Sequence, residues 1–198
     1  DDGRMKANFA PVEINGLVRM IADGQQNSAK QKGLRFVIGE DINGTEQINK
    51  LERPLYANID ADFLREALDN LIENAIKYTR SGAVAVATSA NENNIYIKVE
   101  DTGIGIAKDE INHIFQKFYR VDNSETRDIG GTGLGLYLVR QRIEGILGKI
   151  SAESIIGKGS TFTITLPRIS EDEYNRQRLA QQNNAMAQQR MGDGAMEK

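Results

Sequence analysis

Glycines alternate with larger residues in one short stretch of the chain, at positions 131, 133 and 135. An apolar pattern with helical spacing starts at once and continues over residues 134–147. A residue without Cβ allows positive φ and lets a bulky ligand approach the main chain. Unpaired N–H groups at the start of the following helix favour a phosphate group. The stretch therefore indicates a phosphate-binding loop, and a flexible loop before an ordinary helix is the alternative when it is taken alone.

A second glycine turn lies earlier in the chain, in residues 101–106, and it directly follows a strand pattern. Asp101 ends that strand, so its carboxylate is expected to emerge at the edge of a sheet. Such a carboxylate can accept a hydrogen bond from an exocyclic amine like that of adenine. The alternative for Asp101 is an Asx residue that caps the turn.

The clearest helix pattern of the chain precedes this turn. Its apolar residues recur at spacings of three and four, at Leu64, Ala67, Leu68, Leu71, Ile72, Ala75 and Ile76. Asp60 or Asp62 can cap its start. On the opposite face, Asn70, Asn74 and Lys77 fall on one stripe. An amide oxygen suits Mg²⁺ and a compact ammonium suits phosphate, so the stripe can hold a metal-bound phosphate. The alternative is a solvated polar surface.

Composition excludes several kinds of site. The 198 residues fit one domain with an appendage. The absence of cysteine and the single histidine exclude disulfides, thiolate chemistry and a zinc site built from these residues in one chain. The net charge of −3 gives no electrostatic case for nucleic acid as a partner. No apolar run approaches the roughly 18 residues of a membrane span, and no signal peptide is recognised. From the start at Asp1 we expect an excised cytoplasmic fragment, with any membrane segment of its parent outside it.

Breaker residues and changes of periodicity divide the rest of the chain. The predicted order is a linker over 1–11, a helix over 12–32, a strand over 34–38, a polar loop over 39–53, the helix ended by 80–82, a hairpin of strands 83–90 and 95–100, a short helix over 109–118, a mobile loop over 119–131, the helix over 134–147, and a last hairpin of strands 149–153 and 160–166. A domain over 12–168 is therefore followed by a polar tail over 169–198, which is either helical or disordered.

Five blocks of the sequence stand in the order and spacing of a known family. They are Asn70-x-x-x-Asn74-x-x-Lys77-Tyr78, Asp101-Thr102-Gly103-Ile104-Gly105, Ile114-Phe115-Gln116-Lys117-Phe118-Tyr119-Arg120, Gly131-Thr132-Gly133-Leu134-Gly135-Leu136 and Gly157-Lys158-Gly159-Ser160-Thr161. In this order the blocks resemble the N box, the first glycine box, the F box, and the second and third glycine boxes of bacterial sensor histidine kinases. The resemblance is to their catalytic, ATP-binding domain, a member of the GHKL superfamily, and it covers residues 12–167.

This resemblance implies the Bergerat ATP-binding fold. That fold is α+β, a two-layer α/β sandwich in which a mixed, mainly antiparallel sheet is backed by helices. ATP would bind with Mg²⁺ between a helix pair and a flexible lid. The resemblance also implies a homodimeric parent with a separate dimerisation domain and a response regulator downstream, whereas the fragment itself is expected to be a monomer.

The resemblance assigns the phosphate side of the site to four residues. Asn74 would ligate Mg²⁺, with Asn70 close by. Lys77 would line the phosphates, and Arg120, just past the F box, would reach the terminal ones. Catalysis would then consist mostly of positioning and charge neutralisation.

The other expected site residues would contact the rest of the nucleotide or the lid. Asp101 would bind the adenine amine, Tyr78 would line the ribose side, and Thr161 would lie near the adenine. Phe115 and Phe118 would pack the base of the lid. The remaining expected contacts are Gly103, Gly105, Ile106, Gly131, Thr132, Gly133, Leu134, Gly135 and Leu136.

Position 70 bears on the reaction. In related ATPases such as DNA gyrase and the mismatch-repair protein MutL, a glutamate four residues before the magnesium asparagine acts on water as a general base. Here that position is Asn70, whose amide takes no proton at neutral pH. Glu73 lies about 100° further round the helix and is expected to be poorly aimed. A histidine kinase domain is therefore favoured, with a hydrolytic ATPase, an anti-sigma-type serine kinase and a non-catalytic nucleotide-binding module as alternatives.

His113 is the one histidine of the sequence, and isoleucine follows it. The phosphoacceptor motif of the family has an acidic residue directly after its histidine. We therefore expect His113 to be a surface or half-buried residue, and the fragment to bind ATP without phosphorylating itself.

Overall fold

A computed structural model of the chain describes residues 6–43, 53–121 and 132–193. Its elements, in chain order, are β1 (Ala10–Glu13), α1 (Ile14–Gln31), β2 (Arg35–Ile38), β3 (Tyr56–Ile59), α2 (Ala61–Tyr78), β4 (Ala83–Ala90), β5 (Asn94–Asp101), α3 (Gly135–Gly145), β6 (Lys149–Ile155), β7 (Gly159–Pro167) and α4 (Glu171–Asp193). Most of the mobile loop predicted over 119–131, and much of the polar loop predicted over 39–53, lie outside the described residues.

The main sheet has five strands in the order β2-β4-β5-β7-β6. Strands β2 and β4 run parallel, and the other three pairs are antiparallel. A second sheet joins β1 to β3, also antiparallel. The predicted fold class, a mixed and mainly antiparallel sheet backed by helices, is confirmed.

The core lies between the main sheet and helices α1, α2 and α3. Strand β5 alternates strictly, with Ile95, Ile97 and Val99 fully buried and the residues between them half-buried. Helix α2 buries the apolar face that its spacing predicted. Burial of each Leu- or Ile-sized side chain contributes roughly 1.5–3 kcal/mol, so this face fixes which side of α2 remains for function.

Helix α2 begins where the sequence predicted, directly after its N-cap residue Asp60. The Oδ1 atom of Asp60 accepts hydrogen bonds from the main-chain N–H groups of Asp62 (3.0 Å) and Phe63 (3.2 Å). Its Oδ2 atom accepts one from the N–H of Asn8 at 2.8 Å. A capping carboxylate satisfies N–H groups that have no partner inside the helix and opposes the positive end of the helix dipole.

The N-terminal predictions need two corrections. Strand β1 starts at Ala10, inside the predicted linker, and pairs with β3, which the sequence did not predict. Each strand has four residues, and the partners are far apart in the chain, so neither shows a local hairpin signal. Pro11 is tolerated opposite Asn58 because a two-stranded sheet consists of edges.

The short helix predicted over 109–118 is wrong. This segment forms successive turns, in which the N–H of His113 bonds to the carbonyl of Glu110 (2.8 Å) and the N–H of Gln116 to that of His113 (2.8 Å). Phe118 ends the segment with a φ of +64°, a left-handed conformation that does not continue a helix.

The tail begins as a docked helix, α4, over Glu171–Asp193. The ring of Tyr174 on α4 stacks on that of Tyr56 on β3, with centroids 4.3 Å apart. Ile169, just before α4, forms a β-bridge with the same Tyr56.

Within the described part of the chain, no helix combines the length and hydrophobicity that a membrane crossing needs.

Candidate functional site

A cavity of about 340 Å³ opens between α2, the 101–106 turn, the segment before residue 121 and the start of α3. The structure brings twelve of the predicted site residues to its wall: Asn70, Asn74, Lys77, Tyr78, Asp101, Gly105, Ile106, Arg120, Thr132, Gly133, Gly135 and Leu136. Gly103, Leu134 and Thr161 do not line it. Gly131 lies outside the described residues.

The polar stripe of α2 forms one wall of the cavity. The Nδ2 atom of Asn74 donates a 3.0 Å hydrogen bond to Oδ1 of Asn70, one turn earlier. Because Nδ2 of Asn74 is used in this bond, the Oδ1 atom of Asn74 is the acceptor that its amide offers to a ligand. Glu73 also lines the cavity, as an exposed residue at its rim, although its position on the helix predicted poor aim.

Asp101, the last residue of β5, lies at the opposite side of the cavity and is only 7% exposed. Its Oδ1 atom accepts a 2.8 Å hydrogen bond from the N–H of Gly103. Burial raises the pKa of Asp101 from 3.8 to about 6, even though main-chain hydrogen bonds from Gly103 and Ser160 act to lower it. The negative charge of Glu100 raises the pKa slightly further. A buried carboxylate, ionised at neutral pH, thus faces the cavity as a strong acceptor.

Gly103 shapes the site without lining it. A Cβ at this position would lie 2.6 Å from the carbonyl oxygen of Tyr78 and 2.7 Å from Oδ1 of Asp101. Only glycine therefore lets the turn pack against the end of α2. The N–H of Ile104 donates to the Tyr78 carbonyl at 3.3 Å, which joins the two walls of the cavity.

Helix α3 starts directly at the cavity. Its first residue, Gly135, approaches Asn70 so closely that a Cβ would lie 2.8 Å from Oδ1 of that amide. The first N–H groups of a helix have no partner within it, and they carry the positive end of its dipole. Thr132 and Gly133 continue this wall toward Arg120. The predicted phosphate-binding stretch therefore faces the polar stripe of α2.

On β7, Ser160 lines the cavity instead of the predicted Thr161. Ser160 is paired with Asp101 across the sheet, whereas Thr161 is paired with Glu100. Successive residues of a strand point to opposite faces, so Thr161 points away from the helices. The alternation that buries Phe162 on the same face as Ser160 was available in the sequence and could have identified the serine.

The segment between the two glycine turns differs from the prediction at Phe118 and Tyr119. Phe115 is buried and packs edge-to-face on Phe162, with centroids 6.3 Å apart. Phe118, predicted to pack beside it, is 66% exposed, because its left-handed backbone turns the side chain outward. Tyr119 was not predicted as a site residue, but it lines the cavity and donates a hydrogen bond to Glu110. His113 is exposed, as expected.

Comparison with known proteins agrees with this architecture. Residues 59–170 match the family described as histidine kinase-, DNA gyrase B- and HSP90-like ATPase. The chain belongs to this family. The match covers α2, both glycine turns and all strands from β4 to β7, and it ends before α4.

The chain is similar in sequence to sensor kinases. The chain is 45% identical over 128 residues to the sensor histidine kinase WalK of Bacillus subtilis (strain 168), covering 63% of this chain and 21% of WalK. It is 44% identical over 138 residues to the sensor histidine kinase RppB of a Synechocystis strain, covering 69% of this chain and 30% of RppB. The chain therefore spans only about a fifth to a third of the length of these curated relatives.

Solved structures share the fold. Full-length ShkA in complex with AMPPNP matches with a TM-score of 0.68 and 28% identity, over 85% of this chain and 33% of ShkA. A nucleotide-free catalytic domain of the histidine kinase ThkA matches with a TM-score of 0.66 and 23% identity, over 81% of this chain and 96% of that domain. The second likeness shows the fold alone.

Proposed function

We propose that this chain is the ATP-binding catalytic domain of a two-component sensor histidine kinase. It transfers the γ-phosphate of ATP to a histidine on a separate dimerisation domain of a homodimeric parent, which then serves a response regulator. The observation that carries the proposal is the composition of the cavity wall. A buried carboxylate, Asp101, faces a stripe with an amide, Asn70, where the hydrolytic relatives are expected to have a glutamate.

Asp101 supports recognition of adenine. An ionised carboxylate accepts a hydrogen bond from the exocyclic amine, and burial strengthens that bond because water competes less. The hydroxyl of Ser160 lies on the same wall, next to Asp101 across the sheet. Half-buried apolar residues of the cavity, such as Ile106 and Leu136, offer contact to the flat faces of a purine ring.

The opposite wall supports a triphosphate with Mg²⁺. The described residues contain no group of three or more His, Cys, Asp or Glu side chains placed to hold a metal. The donor set nevertheless fits Mg²⁺, because this ion is commonly held by few protein oxygens together with water and substrate phosphates. Oδ1 of Asn74 would be the protein ligand, and bound Mg²⁺ would neutralise phosphate charge. Lys77 and Arg120 also line the cavity and add positive charge.

The wall also supports transfer to an external nucleophile instead of water. Asn70 is engaged by Asn74 and approached by Gly135, so a neutral amide occupies the place of a general base. Phosphoryl transfer needs mainly positioning and charge stabilisation, which this chain's residues supply. The nucleophilic nitrogen then has to come from another domain, since His113 is exposed on the turn segment and does not line the cavity.

Glu73 gives one specific reason to consider a hydrolytic ATPase as a second candidate. It lines the cavity and carries a carboxylate, so a water held beside the γ-phosphate would find a base within the same wall. Steady phosphate release by the purified chain that Glu73→Gln abolishes would support hydrolysis. Glu92→Gln, on the exposed turn between β4 and β5, is the matched control.

The main experiment supplies the parent's dimerisation domain as a separate polypeptide, together with this chain and ATP labelled on the γ-phosphate. We expect label on the dimerisation domain only, stable to alkali and lost in acid, as a phosphoramidate of histidine is. Label stable to acid and lost in alkali would indicate a serine kinase. Label on His113 of the chain alone, or no nucleotide binding at all, would contradict the proposal.

A further inference from the structure

Lys32 joins the ends of two helices. Its Nζ atom donates hydrogen bonds to the carbonyl oxygens of Ile76 (2.6 Å) and Lys77 (2.7 Å), in the last turn of α2. Lys32 is the residue that directly follows α1, and it precedes Ile76 and Lys77 by 44 and 45 positions in the chain. One ammonium group therefore fixes the C-terminal turn of α2 to the end of α1.

The backbone holds Lys32 in a defined place. The N–H of Gly33 bonds to the carbonyl of Lys30 (3.0 Å), and the N–H of Leu34 bonds to that of Ala29 (3.0 Å). With Gly33 at a φ of +73°, this pattern is the Schellman motif that ends many helices. Ala29 and Leu34 are both buried, so the end of α1 is anchored in the core.

The carbonyl groups that Lys32 contacts need partners. The last four carbonyls of a helix lack intrahelical donors, and they carry the negative end of the dipole. An ammonium group is the favoured partner at this end. Partial burial lowers the pKa of Lys32 below its ordinary value of 10.5, because the ammonium is held against the protein instead of being fully hydrated.

The same turn of α2 carries functional side chains. Lys77 and Tyr78 both line the cavity, and their side chains lie beside each other, with Nζ of Lys77 5.5 Å from the centre of the Tyr78 ring. The Tyr78 carbonyl meets Ile104 in the turn behind Asp101. Lys32 does not line the cavity, so it can act on the nucleotide only through this turn.

We propose that Lys32 is a positioning residue that holds the last turn of α2, and with it Lys77 and Tyr78, in place for the phosphate and ribose side of the nucleotide. This inference rests on the proposed ATP-binding function. The contact lies at one end of the cavity, because Lys32 bonds to the last turn of α2, whereas Asp101 is carried by β5.

The test compares ATP and adenine, both measured by competition with a fluorescent ATP analogue in the presence of Mg²⁺. For Lys32→Met we expect the affinity for ATP to fall roughly three- to tenfold, the range of one charge-assisted contact, and the affinity for adenine to stay unchanged. Lys32→Arg should restore ATP affinity, because a guanidinium can also donate to the two carbonyls. Lys30→Met is the matched control, since Lys30 is an exposed lysine of the same helix end.

Hydrogen exchange provides an independent readout. The N–H of Ile104 bonds to the Tyr78 carbonyl, so its exchange should become faster in Lys32→Met and stay unchanged in Lys30→Met. If Lys32→Met lowers expression of folded protein, Lys32→Gln, which is polar but shorter and uncharged, replaces it in both measurements.

The outcomes distinguish this inference from the function on which it rests. Equal losses for ATP and adenine would mean a general effect on folding, and unchanged affinity for both would mean no positioning role, so either overturns the inference alone. Failure of the unmodified chain to bind ATP would instead overturn the proposed function, and this inference with it.

Discussion

Asn74 and Asn70 lie one turn apart on α2, and the Nδ2 atom of Asn74 donates to Oδ1 of Asn70 at 3.0 Å. This contact fixes the orientation of both amides. Asn74 uses its N–H group on its neighbour and keeps its carbonyl oxygen for the cavity. Asn70 accepts this bond with its carbonyl oxygen. The two amides therefore act together on the wall that we propose for the metal-bound phosphates.

Asn74→Asp should therefore disturb metal-dependent binding more than its similar shape suggests. The new carboxylate cannot donate to Asn70, and it places two acceptors in contact, which changes the geometry offered to the ion. We expect ATP affinity with Mg²⁺ to fall about tenfold, with a smaller change for adenosine. Calorimetric titrations with and without Mg²⁺ measure this. Asn93→Asp, on the exposed β4–β5 turn, is the control, and equal losses with and without Mg²⁺ would contradict the prediction.

The ionised side chain of Asp101 should lower the free energy of unfolding and increase the affinity for ATP. Its pKa in the folded chain is raised to about 6 by burial, above its ordinary 3.8. The folded state therefore binds this proton more tightly than the unfolded state, so the free energy of unfolding falls as the pH rises from about 4 to about 6 and stays lower above that. The ionised form costs on the order of 2–3 kcal/mol.

Asp101→Asn removes this cost, and it also replaces one oxygen of the charged acceptor with an NH2 group that donates. At neutral pH the variant should unfold at higher urea concentration than the parent, and the difference should shrink below about pH 4. Its ATP affinity should nevertheless be at least about tenfold weaker. In the parent, ATP affinity should fall as the pH drops through about 6, where Asp101 takes a proton. Asp109→Asn, an exposed carboxylate, is the control. A variant that binds ATP like the parent would remove Asp101 from the site.

Ser160 and Thr161 test which face of β7 meets the nucleotide. Ser160 lines the cavity, and Thr161 is on the opposite face. Ser160→Ala should weaken ATP binding about three- to tenfold, because the cavity wall loses a hydroxyl, which also contacts Oγ of Ser154 at 2.9 Å. Thr161→Ala should leave affinity within about twofold of the parent. The reverse ranking in the same fluorescence competition assay would restore the assignment to Thr161 made by resemblance.

The elements that decide this site were largely predictable from local signals. Strong apolar periodicity predicted α2, and Asp60 predicted its start. Alternation predicted β5 and its hairpin partner β4. These patterns place Asn74 on the polar face of α2 and Asp101 at the end of β5, whereas the resemblance predicted that both contact one nucleotide. The sequence could also show the break at Gly33, because glycine at a helix end is itself a local signal.

Features that depend on distant partners were missed. Strands β1 and β3 pair across more than forty residues, and neither has a turn signal beside it. Phe118 has an apolar side chain that predicts burial, but its left-handed backbone turns it outward. Lys32 looks like an ordinary exposed lysine, and only the packing of α1 on α2 gives it two carbonyl partners. In each case tertiary structure, not local preference, sets the outcome.

Gly135 and Gly24 give the last prediction, because both are helical glycines with opposite surroundings. A Cβ on Gly24, in α1, would have no atom within 4 Å, whereas one on Gly135 would lie 2.8 Å from Oδ1 and 2.9 Å from Nδ2 of Asn70. Gly24→Ala should stabilise the chain by about 0.5–1 kcal/mol, since it lowers the entropy of the unfolded chain and improves helix propensity.

Gly135→Ala should not show this gain, because its methyl group has to displace the Asn70 amide or move the start of α3. Either shift breaks the bond with Asn74 or opens the wall that faces the phosphates. We expect ATP affinity to fall about tenfold for Gly135→Ala and to stay unchanged for Gly24→Ala, in calorimetric titrations backed by urea unfolding. If Gly135→Ala bound ATP as tightly as Gly24→Ala, the close approach of α3 to Asn70 would not be required for nucleotide binding.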